Sequence, residues 1–379
     1  MNDIHEGLMR EATRLTQAGK LREATALIQR ALAMPSRAGA WFDGPATAEP
    51  ARSFAPPTDG LVLDGCVIEV GVHAPPATDV GLGDFIAGTH TNGSLTRGYK
   101  LYIPPGHAGR QLPLVVLLHG CTQDPDDFAA GTGMNERARE HDFYVLYPAQ
   151  AASANPSRCW NWFKHNHQRR DSGEPALLAD MVRSVTEKHG IDGRRVYVAG
   201  LSAGGAMAVI VGNAYPDIFA AVGVHSGLPS GAAGNVAEAL SVMQTGVART
   251  GLHSATPAKM AVPTIVFHGD QDKTVHQRNG EQVIAALLET PASADGAALL
   301  ASAAQVQVEQ GTCDGGRRYT RSVYRGREGR ALAEHWLVHG AGHAWSGGQS
   351  SGSYTDVHGP DASGEMLRFF FEQADMPVH

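Results

Sequence analysis

The sequence predicts an α/β protein whose mostly parallel sheet is covered by helices on both sides. From about residue 80, short apolar segments alternate with segments of helical periodicity. Strands buried on both faces of a parallel sheet read as continuous apolar runs, and residues 114–118 (Leu-Val-Val-Leu-Leu) are such a run. The length of 379 residues fits one large domain with an appendage, and 45 Gly and 21 Pro indicate many loops.

The elements of this domain can be assigned in order along the chain. Residues 97–103 predict an early strand, which two prolines end. Later apolar runs predict strands at 114–118, 143–147, 195–199, 262–267 and 333–338. Helices are predicted near 126–140, at 174–189, at 203–213 and around the Phe-rich residues 366–371. Glycine- or alanine-rich composition indicates an inserted loop or short helix at 231–260 and a surface segment at 292–304.

The first 60 residues are predicted to form an appendage. Two apolar stripes at helical spacing predict a helical hairpin at 1–34. Residues 35–60 contain five prolines and predict a linker, which leaves 61–379 as the α/β domain. Since one hairpin cannot bury its own apolar face, we expect it to pack on the body of the protein or to mediate self-association or contact with a granule or another protein.

Charge and hydropathy exclude several classes of protein. A net charge of −7 provides no basic field for nucleic acid or anionic lipid. No run of 18 apolar residues occurs, so no membrane span is expected. Residues 1–6 have neither the basic region nor the apolar core of a secretory signal, which favours a cytoplasmic location.

Four cysteines leave their redox state open. Cys66, Cys121, Cys159 and Cys313 show no C-x-x-C spacing, so a zinc site is not expected. Cys121 and Cys159 lie in segments near the candidate site, which permits a bridge between them. Reduced thiols are favoured for a cytoplasmic chain.

The segment Gly200-Leu201-Ser202-Ala203-Gly204 fits the pattern G-x-S-x-G. It lies between a predicted strand and a predicted helix, and this context is that of a nucleophile elbow. Glycines on both sides of the serine allow the strained turn that the elbow requires. We therefore predict Ser202 to be a nucleophile; the alternative is a plain glycine-rich turn.

Later segments supply an acid and a base. Asp270 and Asp272 follow the apolar run 262–267, and His343 lies among glycines after the run 333–338. Side chains at the carboxyl ends of parallel strands meet at one edge of the sheet. The order Ser, Asp, His is that of α/β-hydrolases, in which a histidine activates the serine and an acid orients the histidine. Position and spacing leave both acids as candidates.

Two backbone amides are candidates for an oxyanion hole. In α/β-hydrolases, one donor comes from a loop after an early strand and the other from the residue after the nucleophile. Cys121, which follows the run 114–118 and a His-Gly pair, is the first candidate, and Ala203 is the second. Without the downstream serine, the His-Gly pair would be read as a turn.

Together these motifs resemble the poly(3-hydroxybutyrate) depolymerase family of esterases, which is close to acetyl-xylan and feruloyl esterases of the same fold. The likeness covers roughly residues 80 to 375 and rests on the segments 118–123, 159–163, 200–207, 215–221, 268–272 and 342–345. One departure is Ser346, where the family often has proline.

The resemblance implies an α/β-hydrolase fold and a set of site residues. Ser202 is implied as nucleophile, His343 as base and Asp272 as orienting acid, because Val275 completes the family pattern H-G-x-x-D-x-x-V. It also favours Trp160 and Trp345 as substrate-pocket residues over core filling. No cofactor and no metal ion are implied. The resembled family includes secreted members, so the resemblance leaves an extracellular location open beside the cytoplasmic one.

The implied activity is hydrolysis of short 3-hydroxyalkanoate esters, as oligomers or accessible polymer. An acetyl-xylan or feruloyl esterase is the nearest alternative. A non-catalytic protein of the same fold is a further alternative, against which the order of the three site residues argues.

Overall fold

The computed structural model describes residues 81–247, 262–289, 305–326 and 329–373. The predicted hairpin at 1–34, the linker at 35–60 and the surface segment at 292–304 lie outside the described residues, as does the part of the predicted insertion 231–260 that follows residue 247.

A ten-stranded sheet forms the centre of the described structure, in the order β1-β2-β4-β3-β5-β6-β7-β10-β9-β8. The strands are β1 (Asp84–Asn92), β2 (Leu95–Ile103), β3 (Leu114–Leu118), β4 (Tyr144–Pro148), β5 (Val196–Leu201), β6 (Ala221–His225), β7 (Thr264–Gly269), β8 (Gln305–Thr312), β9 (Arg318–Arg325) and β10 (Ala331–Val338). The six central strands from β4 to β10 pair in parallel, whereas the two strands at each edge pair antiparallel. The mostly parallel sheet predicted from the sequence is confirmed.

Helices cover both faces of this sheet. They are α1 (Pro125–Thr132), α2 (Met134–His141), α3 (Gly173–His189), α4 (Ala203–Ala214), α5 (Val236–Thr245), α6 (Arg278–Glu289) and α7 (Ala362–Glu372). A 3₁₀ turn at His165–His167 and the two-residue strands β11 (Trp345–Ser346) and β12 (Thr355–Asp356) complete the described elements.

The core is divided into two layers by the sheet. Successive residues of β3 alternate between them, as the pleat of a strand dictates. One layer contains apolar residues of α3, α4 and α6, and the other contains those of α1, α2 and α7. Because both layers are apolar, every residue of β3 is buried, which explains its continuous apolar run.

The predicted helix near 126–140 is two helices. Gly133 has a φ of 60°, and its amide donates to the Ala129 carbonyl oxygen, which ends α1. This left-handed residue, which favours glycine, redirects the chain into α2.

The described helices include none that is both long enough and apolar enough to cross a lipid bilayer.

Candidate active site

Ser202 lies in a strained turn between β5 and α4. Its φ of 57° and ψ of −118° are unusual for a residue other than glycine, and strain of this kind is typical of functional sites. A Cβ atom at position 204 would collide with the carbonyl oxygen of Leu118, and one at position 200 with the backbone of Gly204. Both glycines are therefore required sterically, because the elbow packs directly on the end of β3.

Asp272 and His343 form a hydrogen-bonded pair. Asp272 Oδ2 accepts from His343 Nδ1 at 2.7 Å. The other carboxylate oxygen accepts the amides of Thr274 and Val275, each at 2.9 Å. Burial by itself would raise the pKa of Asp272, but the hydrogen bond and charge of His343, with further help from His268 and the Val275 amide, lower the pKa to about 2. The carboxylate is thus ionised and fixed from both sides.

Asp270 has a different partner. Its carboxylate accepts from His339 Nδ1 at 2.9 Å and from the Gly340 amide at 2.7 Å. Of the two acids that the sequence left open, the structure places Asp272 against His343 and Asp270 against the neighbouring loop.

His225, at the end of β6, connects the elbow to the loop that carries His343. Its carbonyl oxygen accepts the Ser202 amide at 2.8 Å, and its Nε2 accepts the Ser346 amide at 2.9 Å. Ser202 Oγ itself makes no hydrogen bond to His343 or to any other described residue. Such catalytic contacts are often long before substrate binds. His225 was not predicted from the sequence, because nothing in its local pattern distinguishes it from a core residue.

The two candidate oxyanion donors have free amides. Within the described ranges, neither the Cys121 amide nor the Ala203 amide donates a hydrogen bond to the protein. Ala203 is the first residue of α4, where amides lack helical acceptors and the helix dipole favours negative charge. Both amides are available to an incoming oxygen.

The expectation of reduced cysteines is corrected by a disulfide between Cys121 and Cys159. Their Cα atoms lie 4.2 Å apart, since the loop after β4 returns to the loop after β3. Spacing in sequence could not reveal this approach. Cys313 is a free thiol.

The expectation that Trp160 and Trp345 line the substrate pocket is also corrected. Their exposed fractions are 0% and 1%, so neither ring presents a surface to a ligand. Trp345 packs between Phe128 and His225 and donates from Nε1 to Ser363 Oγ at 3.0 Å. Trp160 packs on His119. Both tryptophans fill the core beneath the catalytic loops.

An exposed aromatic residue that the sequence did not indicate lies nearby. Tyr354 is 45% exposed and has a φ of 52°. Its hydroxyl lies 3.2 Å from the hydroxyl of Thr122, which neighbours Cys121 and also has a positive φ. Its carbonyl oxygen accepts the Trp345 amide at 2.6 Å. Tyr354 therefore lies between the loop of the candidate oxyanion donor and the loop of His343.

No group of three or more His, Cys, Asp or Glu side chains suited to a metal ion occurs among the residues described.

Comparison with known proteins identifies the family. The sequence model of the family described as Esterase PHB depolymerase matches residues 97–326, so the chain belongs to this family. The chain is 31% identical over 258 residues to poly(3-hydroxyalkanoate) depolymerase C of Paucimonas lemoignei, covering 64% of this chain and 57% of that protein. It is 32% identical over 136 residues to feruloyl esterase B of Thermothelomyces thermophilus, covering 35% and 46%. The chain thus spans about half the length of these relatives.

A solved structure extends the likeness to the fold. Acetyl xylan esterase from Aspergillus awamori aligns with a TM-score of 0.56 and 18% identity, over 76% of this chain and 99% of that one. At this identity the likeness concerns the fold alone, which is the α/β-hydrolase fold predicted from the sequence.

Proposed function

We propose that this family member is a serine esterase that hydrolyses carboxylic esters through an acyl-enzyme. The observation that carries the proposal is the 2.7 Å hydrogen bond between Asp272 and His343, whose loop is joined through His225 to the strained elbow of Ser202.

The proposed reaction begins when Ser202 Oγ attacks the ester carbonyl carbon and His343 accepts the hydroxyl proton. The ionised Asp272 holds His343 as the tautomer with its proton on Nδ1, so that Nε2 is the base. The amides of Cys121 and Ala203 stabilise the tetrahedral oxyanion. His343 then returns the proton to the leaving alcohol, and water cleaves the acyl-enzyme by the same steps in reverse.

Short 3-hydroxyalkanoate esters, as oligomers or as accessible polymer of the polyhydroxybutyrate type, are the proposed substrates. The family match and the depolymerase relative support this class. An acetyl-xylan or feruloyl esterase is the alternative, which the feruloyl esterase relative supports. A non-catalytic protein is disfavoured, because it would have no need of a strained serine beside a paired acid and base.

The test compares initial rates on p-nitrophenyl esters, 3-hydroxybutyrate oligomers and feruloyl esters. We expect turnover of butyrate-length esters and of the oligomers. Ser202→Ala should lower kcat by several powers of ten, on the order of 10⁶, without changing the fold. It should also abolish labelling by a fluorophosphonate probe. A Ser202→Ala variant with near-normal hydrolysis would refute the assignment of the nucleophile.

Residues 1–34 are proposed to contribute contacts rather than catalysis, because the candidate site begins at Cys121 and their apolar stripes need a partner. Removal of residues 1–58 should leave hydrolysis of soluble esters nearly unchanged and should reduce self-association or granule attachment. The test measures sedimentation and the kinetics on a soluble ester for the full chain and for the shortened chain. Loss of soluble-ester activity by a shortened chain that is still folded would contradict the proposal. The predicted cytoplasmic location stays a prediction, and the disulfide, typical of oxidising compartments, weighs against it.

A further inference from the structure

Glu174, in the first turn of α3, is a fully buried carboxylate. Its Oε1 accepts from Gln150 Nε2 at 2.6 Å, from Asn161 Nδ2 at 2.7 Å and from Arg97 Nη2 at 3.3 Å. Its Oε2 accepts the Asn161 amide at 2.8 Å. These donors come from β2, from the loop after β4 and from the segment that follows Cys159. A buried charge is tolerated only when it is satisfied in this way.

Burial would raise the pKa of Glu174, but the His167 ring, whose Nδ1 lies 3.5 Å from Oε2, and the hydrogen bonds from Gln150 and the Asn161 amide lower the pKa to about 2. The carboxylate is therefore ionised at neutral pH. It orients the Gln150 side chain, whose Oε1 in turn accepts from Arg97 Nε at 2.8 Å.

Gln150 connects Glu174 to the loop of the proposed oxyanion donor. Its backbone amide donates to Nε2 of the buried His119 at 3.1 Å. Because Nε2 is the acceptor, the neutral ring carries its proton on Nδ1, which lies 2.7 Å from the carbonyl oxygen of Gly120. His119 thus donates to Gly120.

The Gly120 carbonyl and the Cys121 amide belong to the same planar peptide group, so fixing the oxygen also fixes the direction of the N–H bond. A second connection runs through the disulfide. Gln150 Nε2 donates to the carbonyl oxygen of Cys159 at 3.0 Å, and Cys159 is bonded to Cys121. Both connections lead from Glu174 to Cys121, the residue whose backbone amide is free.

We propose that Glu174 is a positioning residue that, through Gln150 and His119, aims the Cys121 amide at the oxyanion. The proposal deepens and rests on the proposed esterase function. Its consequence is specific: loss of the Glu174 charge should weaken binding of the tetrahedral transition state more than binding of the ester.

Glu174→Gln is the direct test. The variant keeps the size of the side chain but replaces one acceptor oxygen with a donor amide that faces other donors. We expect kcat for p-nitrophenyl butyrate to fall about 10- to 100-fold, up to the effect of losing one oxyanion donor, with KM changed less than about threefold. The inhibition constant of a trifluoromethyl ketone, which adds to the serine as an oxyanion, should rise by the same factor as kcat falls.

Glu334→Gln is the matched control. Glu334 on β10 is equally buried and pairs with Arg321 at 3.0 Å and Arg368 at 2.7 Å, with no hydrogen bond to the loops of the site. This variant should lower the urea midpoint while leaving kcat per folded molecule and the ketone inhibition constant unchanged. Active-site titration gives the folded, competent fraction in each case.

A second pair of variants tests the same path if Glu174→Gln does not fold. His119→Phe keeps a ring but removes the donor to Gly120, and should reproduce the losses in kcat and in ketone affinity. His119→Asn retains a donor near the position of Nδ1 and should restore much of both.

The proposal is overturned if Glu174→Gln, or His119→Phe, loses activity only in proportion to its unfolded fraction, or if ketone affinity stays unchanged while kcat falls. If the unaltered protein neither hydrolyses esters nor binds the ketone, the proposed esterase function fails instead.

Discussion

Removal of the Cys121–Cys159 disulfide is expected to destabilise the protein strongly. The bond joins residues 38 positions apart. A closed loop of this size removes chain entropy from the unfolded state equivalent to about 4 kcal/mol at 25 °C. For a domain of a few hundred residues, this corresponds to roughly 10 °C in Tm.

The assay is equilibrium urea unfolding of the unaltered protein and of Cys159→Ser, each with and without dithiothreitol. We expect the reductant to lower the midpoint of the unaltered protein to that of Cys159→Ser and to leave the variant unaffected. Cys313→Ser, which removes a free thiol outside the bridge, should keep both the midpoint and the sensitivity to reductant.

The disulfide would be ruled out if reductant left the midpoint of the unaltered protein in place and Cys159→Ser unfolded at the same urea concentration. In that case the two thiols are reduced, as the sequence alone favoured, and the loops after β3 and β4 are held together by packing and hydrogen bonds.

Two further predictions concern the acidic residues. Asp272→Asn should lower kcat by roughly 10⁴, because the hydrogen bond that selects the His343 tautomer is lost, whereas Asp270→Asn should have a mild effect; the reverse ranking in steady-state kinetics would transfer the orienting acid to Asp270. The second concerns acid stability. The pKa values of Asp272 and Glu174 are lowered from 3.8 and 4.5 to about 2, so their stabilisation is fully present above about pH 4.5 and is lost as pH falls towards 2. As the pH is lowered from 6 to 2, the urea midpoint should therefore fall steeply for the unaltered protein and less steeply for Glu174→Gln. Parallel plots of midpoint against pH for the two proteins would contradict this.

Most of the strands that the sequence predicted are buried on both faces of the sheet. The runs that form β3 and β5 are apolar at every position because helices cover both faces. The outer strands β1, β8 and β9 were not predicted, and neither was the central strand β6, whose five residues are all buried. Residues 305–309 of β8 alternate polar and apolar side chains (Gln-Val-Gln-Val-Glu), a strand pattern that was missed in so short a segment. In the structure all but one of the residues of β8 are exposed.

In the candidate site too, some residues could be predicted from local sequence and others could not. Ser202, Asp272 and His343 could be found because each lies in a short motif whose chemistry depends on neighbouring residues. The tryptophans were misassigned because proximity in sequence to a catalytic loop does not tell which way a ring points. The role of Glu174 could not be predicted from the sequence, because its hydrogen-bond partners come from distant segments that only the folded chain brings together.

The contact of the elbow with β3 has a consequence for how this scaffold can diversify. Leu118 of β3 pairs with Gly200 of β5, and Gly204 packs on the Leu118 carbonyl oxygen. The separation between the nucleophile and the loop of Cys121 is therefore set by main-chain atoms in van der Waals contact, which no side-chain replacement elsewhere can adjust. Loops farther out, such as the one that bears Tyr354, can change in length and composition while this separation is preserved. Under the proposed function, such a chain acquires new ester specificities by altering its rim, while the spacing between Ser202 and the loop of Cys121 is kept.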